Sequence, residues 1–137
     1  MARALPAYLA RAAAPDRAQL QEALDALKLK IVLDDDYAPF KSKGYLPCSF
    51  DGEDAGFDIR FEDAPEAPAP NLATALGGRD AAISLRWSGD PREEACALAV
   101  CAALARAFDA IIYDADKDRL SSAEDLLKKA KSVAEDL

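Results

Sequence analysis

Asp114, Asp116 and Asp118 stand at alternate positions, and Asp125 follows at the twelfth place counted from Asp114. Oxygen ligands at positions 1, 3, 5 and 12 are the spacing of a helix-loop-helix calcium site, which also needs glycine at position 6 and a bidentate glutamate at position 12. Here the sixth position is Arg119 and the twelfth is the shorter Asp125. Ile111-Ile112-Tyr113, just before the loop, reads as a strand and not as an entering helix. The run is therefore expected to be a solvated acidic turn between strand and helix, with no metal. A second run, Asp34-Asp35-Asp36, closes a short strand at Ile31-Val32-Leu33. Successive strand side chains point to opposite faces, so these three acids cannot all converge on one ion. Asp34, Asp36 and Asp114, all at strand ends, are the candidates for a carboxylate enzyme or ligand site. That chemistry needs two carboxyls within about 5–9 Å of each other in a pocket.

Most other reaction chemistries lack their residues. The chain has no histidine, which removes Ser–His and Cys–His nucleophiles, imidazole metal ligands and imidazole proton shuttles. Cys48, Cys96 and Cys101 form no C-x-x-C pair and no zinc framework. They read as small buried apolar residues in a reducing compartment. No glycine-rich phosphate loop occurs, Gly77-Gly78 being too short for one. No cofactor is implied, and absence of catalysis is the expectation.

Charge points elsewhere. The net charge is −8, and residues 31–76 hold ten acidic side chains against three basic ones. Such a surface repels nucleic-acid phosphates and steers a basic protein partner. Asp34, Asp35, Asp36, Asp51, Glu53, Asp54 and Asp58 are the expected partner-binding acids. Tyr37 and Phe40, in a loop with Lys41 and Lys43, are the expected apolar anchors. Tyr37, Phe40 and Tyr45, interleaved with Lys41 and Lys43, could stack bases or anchor an interface, and could equally fold back onto the edge of the core. No stretch is long and apolar enough for a membrane span. Arg11 sits where a signal peptide needs its apolar centre, so a cytoplasmic location is expected.

The elements that must position these residues follow from periodicity. At 137 residues the chain is expected to form one domain, residues 1–137. A short helix is expected over residues 8–13. A second follows, capped by Asp16, with Leu20, Ala23, Leu24 and Leu27 on one face. Strands are expected at 31–33, at 45–50 and beyond the Asp51-Gly52 turn, where Phe57, Ile59 and Phe61 alternate with Asp58, Arg60 and Glu62. Pro47 marks an edge or a bulge. A brief helix from Asn71 to Leu76 precedes a strand, Ile83–Trp87, with Trp87 in phase with the core. Asp90-Pro91 starts a long helix that carries no charge from Ala95 to Ala105, so it is buried on most sides. A strand at 111–113 and a last helix, with Leu126, Ala130, Val133 and Leu137 inward, complete the chain. The order αα-βββ-(α)-β-α-β-α predicts an α+β domain. Its sheet is expected to be mainly antiparallel with four to five strands, and its helices to lie on one face.

The run Ile83-Ser84-Leu85-Arg86-Trp87, Asp90-Pro91-Arg92-Glu93-Glu94, the alanine-rich helix, Ile111-Ile112-Tyr113-Asp114 and Leu120 to Asp125 together resemble small bacterial proteins of the toxin-immunity type. The resemblance covers about residues 81–127. It implies a compact acidic α+β domain that masks a toxin's active site in the cytoplasm and supplies no catalytic residues. The function expected is that of a non-catalytic, immunity-type partner-binding protein. The alternatives are a secretion chaperone-like protein, or the carboxylate enzyme or ligand-binding domain above.

Overall fold

The uncharged run after Asp90 organises the molecule. In the computed structural model, which describes residues 4–66, 68–114 and 117–136, it forms helix α3 (Pro91–Ala107), with ten consecutive buried residues from Ala95 to Leu104. The Asp90 side chain accepts the Arg92 N–H at 2.9 Å. Pro91 supplies the preset first turn, and Glu93 and Glu94 oppose the helix dipole. At the far end Asp109 takes a left-handed conformation, φ 57°, and releases the chain from the helix.

Around α3 the chain runs β1 (Ala4–Leu9), a 3-10 turn (Arg11–Ala13), α1 (Arg17–Ala26), β2 (Ile31–Leu33), β3 (Gly44–Phe50), β4 (Glu53–Asp63), α2 (Pro70–Leu76) and β5 (Ala81–Arg86). After α3 come β6 (Ile111–Asp114), β7 (Arg119–Ser121) and α4 (Ala123–Glu135). The strands form one seven-stranded sheet of order β2-β3-β4-β5-β1-β6-β7. Every pairing in it is antiparallel. The fold is α+β, as expected, with all five expected strands present.

Two strands were not expected. The helix expected over residues 8–13 is reduced to the 3-10 turn Arg11–Ala13: Ala4–Leu9 is a strand between β5 and β6, with Leu5 opposite Leu85, and Ala7 opposite Ile83 on one side and Ile112 on the other. The local alanine content favours helix, but the period-two burial of Leu5, Ala7 and Leu9 satisfies two neighbouring strands at once. Tertiary pairing overrides the propensity. The second is β7, which pairs with β6, so the acidic turn joins two strands and the last helix begins only after β7. Its cap is as expected: the Ser122 hydroxyl accepts the Asp125 N–H at 3.1 Å. The expected inward Leu137 lies outside the described residues.

One face of the sheet carries the main core. Leu9, Ile31, Leu33, Phe57, Ile59, Ile83, Leu85 and Ile112 are each at most 2% exposed, and they cluster with α3 and with Leu20, Leu24, Leu126 and Ala130 of α1 and α4. Trp87 joins this core. The helices do not all share that face, contrary to expectation. Leu72 of α2 packs with Tyr8, Ala82 and Tyr113 in a second, smaller cluster. By the strand alternation these residues lie on the opposite face.

Local chemistry closes the edges. Asp51 and Gly52, φ 52° and 82°, make the two-residue turn between β3 and β4 that such a pair favours. Pro47 is not on an edge strand, but β2 reaches only Cys48. The Pro47 carbonyl accepts the Asp34 N–H at 3.3 Å. Its nitrogen faces the same side and cannot return the bond to Asp34, so the β2 ladder ends at Leu33. The free edge of β2 is occupied by a side chain: Gln21 donates to the Ile31 carbonyl and accepts the Leu33 N–H, both at 2.8 Å. Arg17 donates to the Leu33 carbonyl at 2.7 Å.

Leu9→Ala tests the assignment of β1. A residue sealed in the core by two flanking strands should cost about 2–5 kcal/mol when truncated, read from urea unfolding. A loss under about 1 kcal/mol would mean that the segment is peripheral.

Candidate functional site

Alternation divides β3 and β4 between two environments. Leu46, Cys48, Phe57 and Ile59 enter the core. Tyr45, Pro47, Ser49, Asp54, Asp58 and Arg60 point to the other face, joined there by Val32 of β2. Helix α2 lies over the part of that face formed by β5, β1, β6 and β7. Among the described residues no helix covers the face over β2, β3 and β4, and Val32 and Tyr45 are 52% and 59% exposed. Large apolar side chains this exposed are few among the described residues, Leu120 at 41% being the third.

Tyr45 is held in place. Its ring lies across Gly56, where an added Cβ would run into Tyr45 Cζ and Oη and come within 2.8 Å of the Leu46 carbonyl oxygen. Gly56 also has φ 157°, a backbone that side chains disfavour. The Tyr45 hydroxyl lies 3.0 Å from the Ala55 carbonyl and 3.3 Å from Glu93 Oε2. Glu93 is itself fixed by the Ser88 hydroxyl at 2.7 Å. Burial, then the neighbouring Glu93 carboxylate, raises the Tyr45 phenol above its ordinary range. The ring is therefore neutral and oriented, with one face open.

The acids expected to bind a partner divide into two groups. Asp35 pairs with Arg17 at 3.4 Å, Asp51 with Lys30 at 3.5 Å, Asp58 with Arg60 at 3.3 Å, and Glu53 with Arg92. Asp36 and Asp54 are exposed and make no ion pair among the described residues. Asp34 is half-buried beside β3.

The expected anchors are corrected. Tyr37 is 5% exposed and donates its hydroxyl to the Pro15 carbonyl at 2.9 Å. Burial, and then Asp16, raises this phenol well above its ordinary value. Phe40 is half-buried, its ring centroid 5.1 Å from that of Phe61 and 4.1 Å from the Arg11 guanidinium carbon. Arg11 is tied in turn to Asp63 at 2.6 Å. For these two aromatics, folding back onto the core edge is the reading observed. Tyr45 and Val32 are the exposed apolar groups instead. Their strand phase was the available signal, since Ile31, Leu33 and Leu46 point inward.

Asp114 is separated from the other carboxylate candidates: it ends β6, five strand spacings or about 24 Å from Asp34 and Asp36, which follow β2 and together line a hollow with Lys41, Ser42, Lys43 and Tyr45. Around the acidic turn, Asp118 accepts from the Tyr113 hydroxyl and the Asn71 amide, and Asp114 accepts the Lys117 N–H at 3.3 Å. Asp116 lies outside the described residues. No cluster of metal-ligating side chains occurs among the described residues.

The cysteines are free and buried. Cys96 of α3 is hydrogen-bonded to Cys48 of β3, which together with burial raises its thiol far above the ordinary range. Burial alone pushes Cys101 up to about 12. In comparison with known proteins, the chain matches no family model, no curated protein and no solved structure.

Two predictions follow from these geometries. Gly56→Ala should displace Tyr45 and destabilise the fold by about 1–3 kcal/mol; an unchanged denaturation midpoint would contradict the close approach. Raised thiols and phenols hold their protons more tightly in the folded state. Their stabilisation is complete below the unfolded values of 9.0 and 10.0 and is lost as pH rises through the folded values. Stability should therefore fall above about pH 9, and less steeply in Cys101→Ala; equal slopes would show that the thiol is not held protonated.

Proposed function

We propose that this chain is a non-catalytic partner-binding protein of the toxin-immunity type, which docks a basic protein on the uncovered face of β2, β3 and β4. The observation that carries this reading is the exposure of Tyr45, Pro47 and Val32 on one sheet face, with Asp54 opposite Ser49 on that face and Asp36 lining a hollow beside Tyr45, both without an ion pair among the described residues. A preorganised tyrosine is a favoured interface anchor because its ring covers area at small entropic cost. Free carboxylates at the rim attract a basic surface and set the rate of encounter more than the final affinity. Asp58 points to the same face, and its partner Arg60 is one that a basic protein would replace.

The sealed β2 edge supports docking on the face over addition of a partner strand, since the Ile31 carbonyl and Leu33 N–H are already bonded to Gln21. Nothing in this mode requires a nucleophile, a metal or a cofactor.

Affinity capture from the native host, with the immobilised chain as bait, tests the reading. The parent should retain a basic protein that is lost, at least tenfold, with Tyr45→Ser. Asp36→Lys combined with Asp54→Lys should slow its association steeply at low salt and much less at high salt. Equal retention by parent and both variants would overturn the assignment of this face.

A further inference from the structure

A cleft of about 240 Å³ opens on the helix side of the sheet, between α4, the β6–β7 hairpin and the chain leaving β5. Leu5, Trp87, Leu98 and Leu126 form its floor, each at most 8% exposed, and polar groups make up the larger part of its accessible lining. Its mouth carries Lys117, Arg119 and Lys129, all exposed. None of the three makes an ion pair among the described residues, as is also true of Lys28, Lys41, Lys43, Arg86, Arg106, Lys128 and Lys131. What sets the three apart is that they gather around one opening. Two acids also line the cleft, Asp114 and Asp125. Asp114 is engaged by the Lys117 backbone N–H. Asp125 stands in the first turn of α4, where the helix dipole offsets its charge.

We infer that this cleft binds a small organic carboxylate with an apolar body. The apolar part lies on Trp87, Leu5, Leu98 and Leu126, and the carboxylate meets Arg119 and Lys129 at the mouth. Arginine presents a planar fork that matches a carboxylate, and lysine adds a point charge. The volume limits the body to a chain of about six to eight carbons or one aromatic ring, below the usual size of a drug-like pocket. Leu120, exposed at the rim, is covered by the bound molecule. The site lies on the opposite side of the sheet from Tyr45 and is independent of the proposed docking face.

Trp87 is the only tryptophan in the chain, so its fluorescence reports occupancy directly. Sodium hexanoate should change the emission saturably and raise the melting temperature. 1-Hexanol, hexylamine and sodium acetate should each act at least tenfold more weakly. Arg119→Gln combined with Lys129→Gln should weaken hexanoate at least tenfold while leaving the melting temperature of the unliganded protein nearly unchanged, because neither side chain has a partner to lose. Binding of hexanol as tight as that of hexanoate, or binding unaffected by the double variant, would overturn the proposal. So would the absence of any saturable response.

Discussion

Helix α3 can lie flat on the sheet because so many of its side chains are small. Ala95, Ala97, Ala99, Ala102 and Ala103 are all buried, and between them Leu98, Val100 and Leu104 fill what the alanines leave open. A helix without a charge for this length must be enclosed on every side. The enclosure comes from the sheet on one side and from α1 and α4 on the others. The rest of the architecture follows. β5 and β6 run parallel, joined by α3 as a crossover, and the gap between them admits one antiparallel strand, β1. The enclosing helices are used up on one side of the sheet, so only the short α2 remains for the other. The face over β2, β3 and β4 is open because no helix is left to cover it.

The long periodic elements were legible in the residues. The β4 alternation, the capped start of α3, its burial and the Asp51-Gly52 turn all appear at the expected positions. The acidic turn was read correctly as following a strand, although the three-residue β7 behind it was too short to show a period. β1 was misread for a definite reason. Ala4–Leu9 contains residues that suit a helix, and its strand character exists only through Leu85, Ile83 and Ile112, which lie far along the chain. A local pattern cannot display a nonlocal partner.

The candidate site shows the same division. That Tyr45 and Val32 face outward was implicit in the phase of their strands, but among the three neighbouring aromatics the loop pair Tyr37 and Phe40 stood out as anchors. Those two are claimed by Phe61, Pro15 and Arg11, contacts that close only in three dimensions. The acidic middle of the chain is likewise less exposed as free charge than its count implies. Asp35, Asp51, Glu53 and Asp58 already have basic partners drawn from outside their own strands or from a neighbouring position. Charge density along a sequence is thus a poor measure of field at a surface, because folding brings counter-ions that the linear order keeps apart.

The Gln21 amide has a consequence for how copies of this molecule can meet. An open sheet grows into a ribbon only if it is adhesive at both rims, so that each newcomer offers a fresh rim to the next. Here one rim is already satisfied by an amide that imitates the missing strand, and only the three residues of β7 remain at the other. A strand arriving beside β2 would find the Ile31 carbonyl and the Leu33 N–H already bonded, so growth from that stretch of the rim is blocked.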